Sequence, residues 1–272
     1  MEKQNITTGF QQVDSAQHQF LAQFLEEVAA LPEVEEGFDR QLRLLDINPG
    51  NHLLDVGCGI GLQALVMAKW TGPTGKVVGT DISTVMIDIA KSRIAGSGYP
   101  LEFLTADAAA QPFPDQSFDA IRTERVLMYV PDPYKVIQEF KRLLKPGGRL
   151  VIFDFDWDGI LVAHHDKALT RRIIRYASDS FPNGRIGADV YRLLRKAGFK
   201  NVSAMPSSYY GNSEILLNIM KKVYEGILQT GISHKVFEQA AIDNWWKALD
   251  EDLKAGDFFM SFQGLIAYGK KD

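Results

Sequence analysis

Between residues 52 and 154, short apolar runs alternate with longer segments whose apolar residues recur every three or four positions. The runs have the length of strands buried on both faces, and the longer segments have the period of helices. This reading places strands at 52–56, 76–80, 101–105, 118–122 and 149–154, with helices at 60–70, 83–95 and 133–144. Such alternation predicts parallel βαβ units with right-handed crossovers. Helices at 166–178 and 187–197 follow, the second stopped by Gly198. Two more strands are predicted near Asn201–Pro206 and Phe259–Gly269.

Two further segments carry helical stripes. Val13, Phe20, Leu21, Phe24, Leu25 and Val28 lie close to i, i+3, i+4 spacing, which predicts a helix over 14–31, with Asp14 or Ser15 as N-cap and Pro32 as its end. A short helix near Phe38–Leu45 leads into the first strand. Residues 212–256 separate the last two strands, a stretch too long to lack structure of its own. Ile215, Leu216, Ile219, Met220, Val223 and Ile227 form one stripe there, and Trp245, Trp246, Leu249 and Leu253 another. The organisation predicted is an N-terminal helical lid (1–48), a core (49–211 and 257–272) and an inserted helical cap (212–256). Lid and cap would meet above a cleft at the strand ends; the other reading of the insertion is a contact in a homodimer.

Chemistry concentrates in Leu53-Leu54-Asp55-Val56-Gly57-Cys58-Gly59-Ile60-Gly61. A strand there runs into a glycine turn that opens a helix, the place where a parallel α/β sheet holds a ligand. Glycines permit positive φ and remove the Cβ atoms that would keep a ligand off the backbone. A dinucleotide fingerprint has its third glycine three residues after its second, and here Leu62 stands there, which argues against NAD or FAD. Asp81 follows Asp55 by 26 residues and Asp107 follows Asp81 by another 26, each at a strand tip. A carboxylate at the second tip has two acceptor oxygens for a pair of ribose hydroxyls.

In these motifs, in Gln111-Pro112-Phe113-Pro114-Asp115-Gln116-Ser117-Phe118-Asp119 and in Leu144-Lys145-Pro146-Gly147-Gly148-Arg149-Leu150-Val151-Ile152, the chain resembles the class I S-adenosylmethionine-dependent methyltransferases. The likeness is close over residues 42–156 and leans toward the small-molecule branch that includes the quinone-biosynthesis enzymes. It implies a Rossmann-like, doubly wound α/β fold. The sheet would have seven mostly parallel strands in order 3-2-1-4-5-7-6, the last one reversed. It also implies S-adenosylmethionine as cofactor, held by Asp55, Gly57, Cys58 (through its backbone), Gly59, Gln63, Asp81, Ile82, Met86, Asp107, Ala108 and Arg122. Two of these keep a plainer alternative: Asp55 as a brace for the glycine loop, and Met86 as core.

In such relatives the segment Arg122–Pro133 meets the methionine moiety and the acceptor. Tyr129 stands where many of them have histidine, so a histidine base at that position is missing. A tyrosine, with a pKa near 10, would orient an acceptor more readily than deprotonate it. Arg125 is a candidate for an acceptor carboxylate, or a salt-bridge partner of Glu124 or Asp156. Asp154-Phe155-Asp156-Trp157-Asp158 ends the fifth strand, with Asp156 a candidate polar contact or base and Trp157 a candidate pocket wall. His164 is a further candidate base, or with His165 an exposed start to a helix. Phe20 and Tyr209 complete the substrate-binding candidates, and no metal site is expected.

Composition narrows the class. The 272 residues are 46% hydrophobic and 24% charged, as in ordinary globular proteins. A net charge of −4 gives no electrostatic footprint for nucleic acid. No apolar run is long enough to span a bilayer, and the N-terminal residues carry no signal core. A single cysteine excludes an internal disulfide, so a cytoplasmic setting is expected. The expected function is methyl transfer to an O, N or C nucleophile of a small, partly apolar or aromatic acceptor, quinone-like or a secondary metabolite. The alternatives are a cofactor-binding protein without methyl transfer, as binding partner or ring-closing enzyme, and a peptide methyltransferase. An acceptor cleft rich in aromatic residues weighs against the peptide.

Overall fold

The structure is a computed structural model and describes residues 18–272. Its centre is a seven-stranded sheet. The strands are β1 (His52–Val56), β2 (Lys76–Asp81), β3 (Leu101–Thr105), β4 (Phe118–Glu124), β5 (Leu144–Phe155), β7 (Lys200–Pro206) and β10 (Gly264–Lys270). Their order is β3-β2-β1-β4-β5-β10-β7, and β10 runs antiparallel to both neighbours. Leu53, Leu54, Val77, Ile121, Leu150, Val151 and Ile152 are all fully buried, which is why these strands read as unbroken apolar runs. This is the doubly wound α/β architecture the motifs imply.

The helices are α1 (His18–Ala29), α2 (Pro32–Leu45), α3 (Leu62–Thr71), α4 (Thr84–Ile94), α5 (Pro133–Leu143), α6 (Lys167–Asp179), α7 (Ile186–Lys196), α8 (Glu214–Ser233) and α9 (Gln239–Ala255). Asp14, Ser15 and Val13 of the predicted first helix lie outside the described residues. Pro32 does not end that helix but opens the next one at its first turn, where a missing N–H costs nothing. The second helix therefore starts earlier than its stripe suggests. No helix among the described residues is long and apolar enough to cross a membrane.

The strand predicted over Phe259–Gly269 is two strands. β9 (Met260–Phe262) pairs with β6 (Leu161–Val162) and β8 (Tyr209–Gly211) in a separate three-stranded antiparallel sheet, and β10 then enters the main sheet. Gln263 makes the break. Its side chain accepts from Ser208 Oγ and donates to Ser261 Oγ, both at 2.8 Å, while its carbonyl accepts from Asp156 N. The next residue must be glycine, because a Cβ on Gly264 would sit 2.4 Å from the Phe153 ring.

Candidate functional site

β1 leaves the sheet through Gly57, Gly59 and Gly61, with φ of 72°, 52° and 77°. A Cβ on Gly57 would fall 2.1 Å from the Val126 side chain, so the turn has no room for another residue. The loop is tied to the neighbouring strand by Gly57 N and Cys58 N, which donate to Thr80 O at 2.7 and 2.9 Å. Asp81 reaches across from the tip of β2. One of its oxygens accepts from Gly59 N at 2.9 Å and the other from Ser83 N at 3.0 Å. A carboxylate retains further lone pairs after two such bonds. Asp107, past the tip of β3, accepts from Ala109 N at 2.8 Å and so shapes its own turn. Ile82 stays 68% exposed beside them, an apolar side chain left without cover.

Gly57, Cys58, Gly59, Gln63, Asp81, Ile82, Met86, Asp107, Ala108 and Arg122 line one cavity of about 460 Å³. Asp55 lies beneath it, fully buried, with Oδ1 receiving Arg122 Nη1 at 2.8 Å. Arg122 has no nitrogen left over. Its Nε donates to Gln41 at 2.8 Å and its Nη2 to Glu124 Oε2, which also accepts from Gln41 Nε2. Burial would raise the Glu124 carboxyl, but Arg122, Arg125 and Gln41 together outweigh it and hold the group below its ordinary range. For Asp55 burial wins over the Arg122 guanidinium, and its carboxyl is pushed up. Arg125 approaches the other Glu124 oxygen, Nε to Oε1 at 3.1 Å, without hydrogen-bond alignment.

The cavity continues from the glycine loop into a chamber walled by Phe155, Trp157, Phe181, Tyr209 and Phe262. Trp157 stacks on Phe181 at 4.3 Å between ring centroids and directs Nε1 at Met128 Sδ, 3.3 Å away. Tyr209 stacks on Phe153 at 5.6 Å and meets Phe155 edge-on at 5.3 Å. Tyr129 also lines the chamber, edge-on to Phe181. Burial pushes the phenols of Tyr129 and Tyr209 well above their ordinary value, so both keep their protons. Phe24, Leu25 and Val28 of α1 and Leu216, Ile219 and Val223 of α8 line the same cavity. Glu27 of α1 pairs with Lys222 of α8.

Residues 54–152 match a family described as "Methyltransferase domain". A demethylmenaquinone methyltransferase of Symbiobacterium thermophilum is 37% identical over 176 residues, 56% of this chain and 69% of that protein. The chain belongs to the class I S-adenosylmethionine-dependent methyltransferases. Two solved structures share the methyltransferase fold. One is phosphoethanolamine N-methyltransferase 2 of Haemonchus contortus in complex with S-adenosyl-L-methionine, with TM-score 0.60, 21% identity, and coverage of 100% of this chain and 61% of that one. The other is the [4+2]-cyclase SpnF, with TM-score 0.57, 23% identity, and coverage of 88% and 80%. Against two other curated relatives the chain spans about half of their length, 53% and 48%.

The residues at the methyltransferase end of the cavity fit the family's cofactor. Glycines without Cβ clear its floor, acceptor oxygens of Asp81 and Asp107 stand at two strand tips, and the uncovered Ile82 offers an apolar face to a base. Those residues would hold S-adenosylmethionine. Asp55 would act from below, through Arg122.

Three expected site residues lie away from the cavity. Asp156 turns to the neighbouring helix, where its Oδ2 accepts from Ala188 N at 3.1 Å in the first turn of α7. His164 stacks on His165 and lies tilted against Trp245, and its Nδ1 accepts from Asp166 N. Phe20 packs on the core without reaching the cavity. The three acids after β5 also separate. Asp154 is fully buried and accepts from Leu127 N at 2.9 Å, Asp156 caps α7, and Asp158 pairs with Arg185 at 3.2 Å. Burial pushes the Asp154 carboxyl up to about 7. Among the described residues no three His, Cys, Asp or Glu side chains converge as a metal site would require.

Sequence reasoning did not assign Glu124, Phe181 or Phe262 to the site. Glu124 carried a signal, a second charge two residues after Arg122 at the end of β4. Phe181 follows the end of α6 and Phe262 lies on a three-residue strand, and neither position has a periodicity to read.

Proposed function

We propose that the protein transfers a methyl group to a small, partly apolar or aromatic acceptor seated in the chamber beside the cofactor end of the cavity. The observation that carries this reading is the continuity of one cavity from the glycine loop to an aromatic-walled chamber. S-adenosylmethionine, when bound, supplies a methyl group made electrophilic by its sulfonium. The chain's own part is alignment and exclusion of water, and alignment alone can be worth about 7–11 kcal/mol. Trp157, Phe155 and Phe181 give the acceptor flat walls, while the apolar faces of α1 and α8 line the same cavity. Lid over 1–48 and cap over 212–256 are the roles proposed for these segments.

A ring-closing reaction in the same chamber is the second reading, because a cyclase shares this fold. Incubation with methyl-labelled S-adenosylmethionine and a metabolite extract separates the two. A product heavier by one labelled methyl, with S-adenosylhomocysteine released, is the expected result. Turnover of an acceptor with no cofactor consumed would overturn methyl transfer in favour of ring closure.

A further inference from the structure

We infer that the acceptor chamber selects molecules carrying an anionic oxygen, carboxylate or phenolate, on an apolar scaffold, and that Arg125 binds that oxygen. The inference rests on the methyl-transfer reading and names its substrate class. Arg125 is the first residue after β4 and has φ of 57°, a conformation that residues other than glycine rarely adopt. It is held there by Arg125 N donating to Phe153 O at 2.9 Å and, two residues on, by Leu127 N donating to Asp154. Strained backbone of this kind concentrates where a side chain must be delivered to a site. The side chain lines the cavity with only 17% of its surface exposed.

Two guanidinium groups border the cavity, and they are not equivalent. Arg122 spends all three nitrogens on Gln41, Asp55 and Glu124. Arg125 has one ion-pair partner among the described residues, Glu124, met only through a misaligned Nε. Glu124 is itself already bonded to Arg122 and Gln41. An arginine has five N–H donors and no acceptor, so this group is under-used where it stands.

The rest of the chamber agrees with an anion. Tyr129 and Tyr209 line it as phenols that keep their protons, so they add no negative charge and take no proton from an acceptor. Beside Glu124, already paired with Arg122, the walls around Arg125 are aromatic and aliphatic, and a neutral apolar guest would desolvate the guanidinium with nothing in return. An acceptor bound as its anion also needs no base, which fits a chamber from which Asp156 and His164 are absent.

The test uses the full chain saturated with S-adenosylhomocysteine and two matched probe pairs: 2-naphthoate with 2-naphthylmethanol, and 4-nitrophenolate with 4-nitrobenzyl alcohol. In calorimetry, at least one anion should bind about tenfold tighter than its neutral partner, a difference near 1.4 kcal/mol. The pair that shows it names carboxylate or phenolate. Arg125→Gln should erase the preference and Arg125→Lys should restore part of it, both with S-adenosylhomocysteine affinity kept. The wild-type comparison stands even if a variant fails to fold. Cofactor binding with no anion preference, or with no probe bound at all, overturns this inference and leaves the functional reading intact. Arg125→Gln weakening S-adenosylhomocysteine as much as the anion would assign Arg125 to the cofactor and overturn it too. Failure of the wild type to bind S-adenosylhomocysteine overturns both.

Discussion

Asp81 does two jobs with one carboxylate: it ties Gly59 N to the strand beside it, and it would receive the ribose. Asp81→Ala should therefore weaken S-adenosylhomocysteine by about 1.5–3 kcal/mol, the scale of a hydrogen bond to a charged group. Calorimetry that found unchanged affinity would remove Asp81 from the site. Asp154 supplies a pH signature. Its folded value near 7 lies above the ordinary 3.8, so between those pH values the folded state holds a proton that the unfolded state has released. Its contribution to stability thus falls as pH rises across that window, by an amount on the order of 4 kcal/mol. Denaturant titrations of wild type and Asp154→Asn should diverge with increasing pH, the variant lacking the decline; parallel profiles would contradict it. At this scale the cofactor end was legible, because its glycines and acids fall at strand tips that any parallel sheet must bring together. Arg125 was legible with two roles, binding an acceptor carboxylate or forming a salt bridge; its strained backbone and its pairing with Glu124 are properties of three-dimensional contacts.

Long elements announced themselves and short ones did not. The stripe on 215–227 became α8, with Leu216, Ile219 and Val223 facing the cavity. By contrast β6, β8 and β9 are two or three residues each, too short for period-2 alternation to register. β8 and β9 bring Tyr209 and Phe262 to the chamber; Tyr209 was among the substrate-binding candidates, whereas Phe262 was not. The α8–α9 pair also carries core. Tyr224 and Trp245 are fully buried, and Trp245 Nε1 donates to Thr170 of α6 at 2.9 Å. Deleting the segment would remove core, so exchange is the better probe of its role. Amide hydrogen exchange in α1 and α8 should slow together when S-adenosylhomocysteine binds, since both line its cavity. Protection that follows protein concentration and ignores ligand would point to a homodimer contact instead.

For the whole molecule, the sheet order sets the site. The chain departs from β1 toward β2 and β3 on one side and β4 and β5 on the other, and the crevice opens at that reversal. Alternation of apolar runs with helices announces parallel βαβ units, and the strand order is the one the family resemblance implies. A ligand that binds only the folded crevice stabilises the whole fold by mass action. S-adenosylhomocysteine at about a hundred times its dissociation constant should add about 2.7 kcal/mol, visible as a rise in Tm of several degrees. Thermal scans with no shift would mean that the cavity does not take this ligand.

The Glu27–Lys222 pair spans 195 positions of the chain. Between its two ends lies nearly all of the sheet. During synthesis, α1 is made long before α8, and its side of the cavity faces no second wall until α8 leaves the ribosome. A nascent chain could thus complete the glycine loop and strands β1 to β5 long before the cavity has two sides. Retention of the ligand would begin only late in translation, and a protein truncated before residue 214 would have a cofactor shelf with one wall missing.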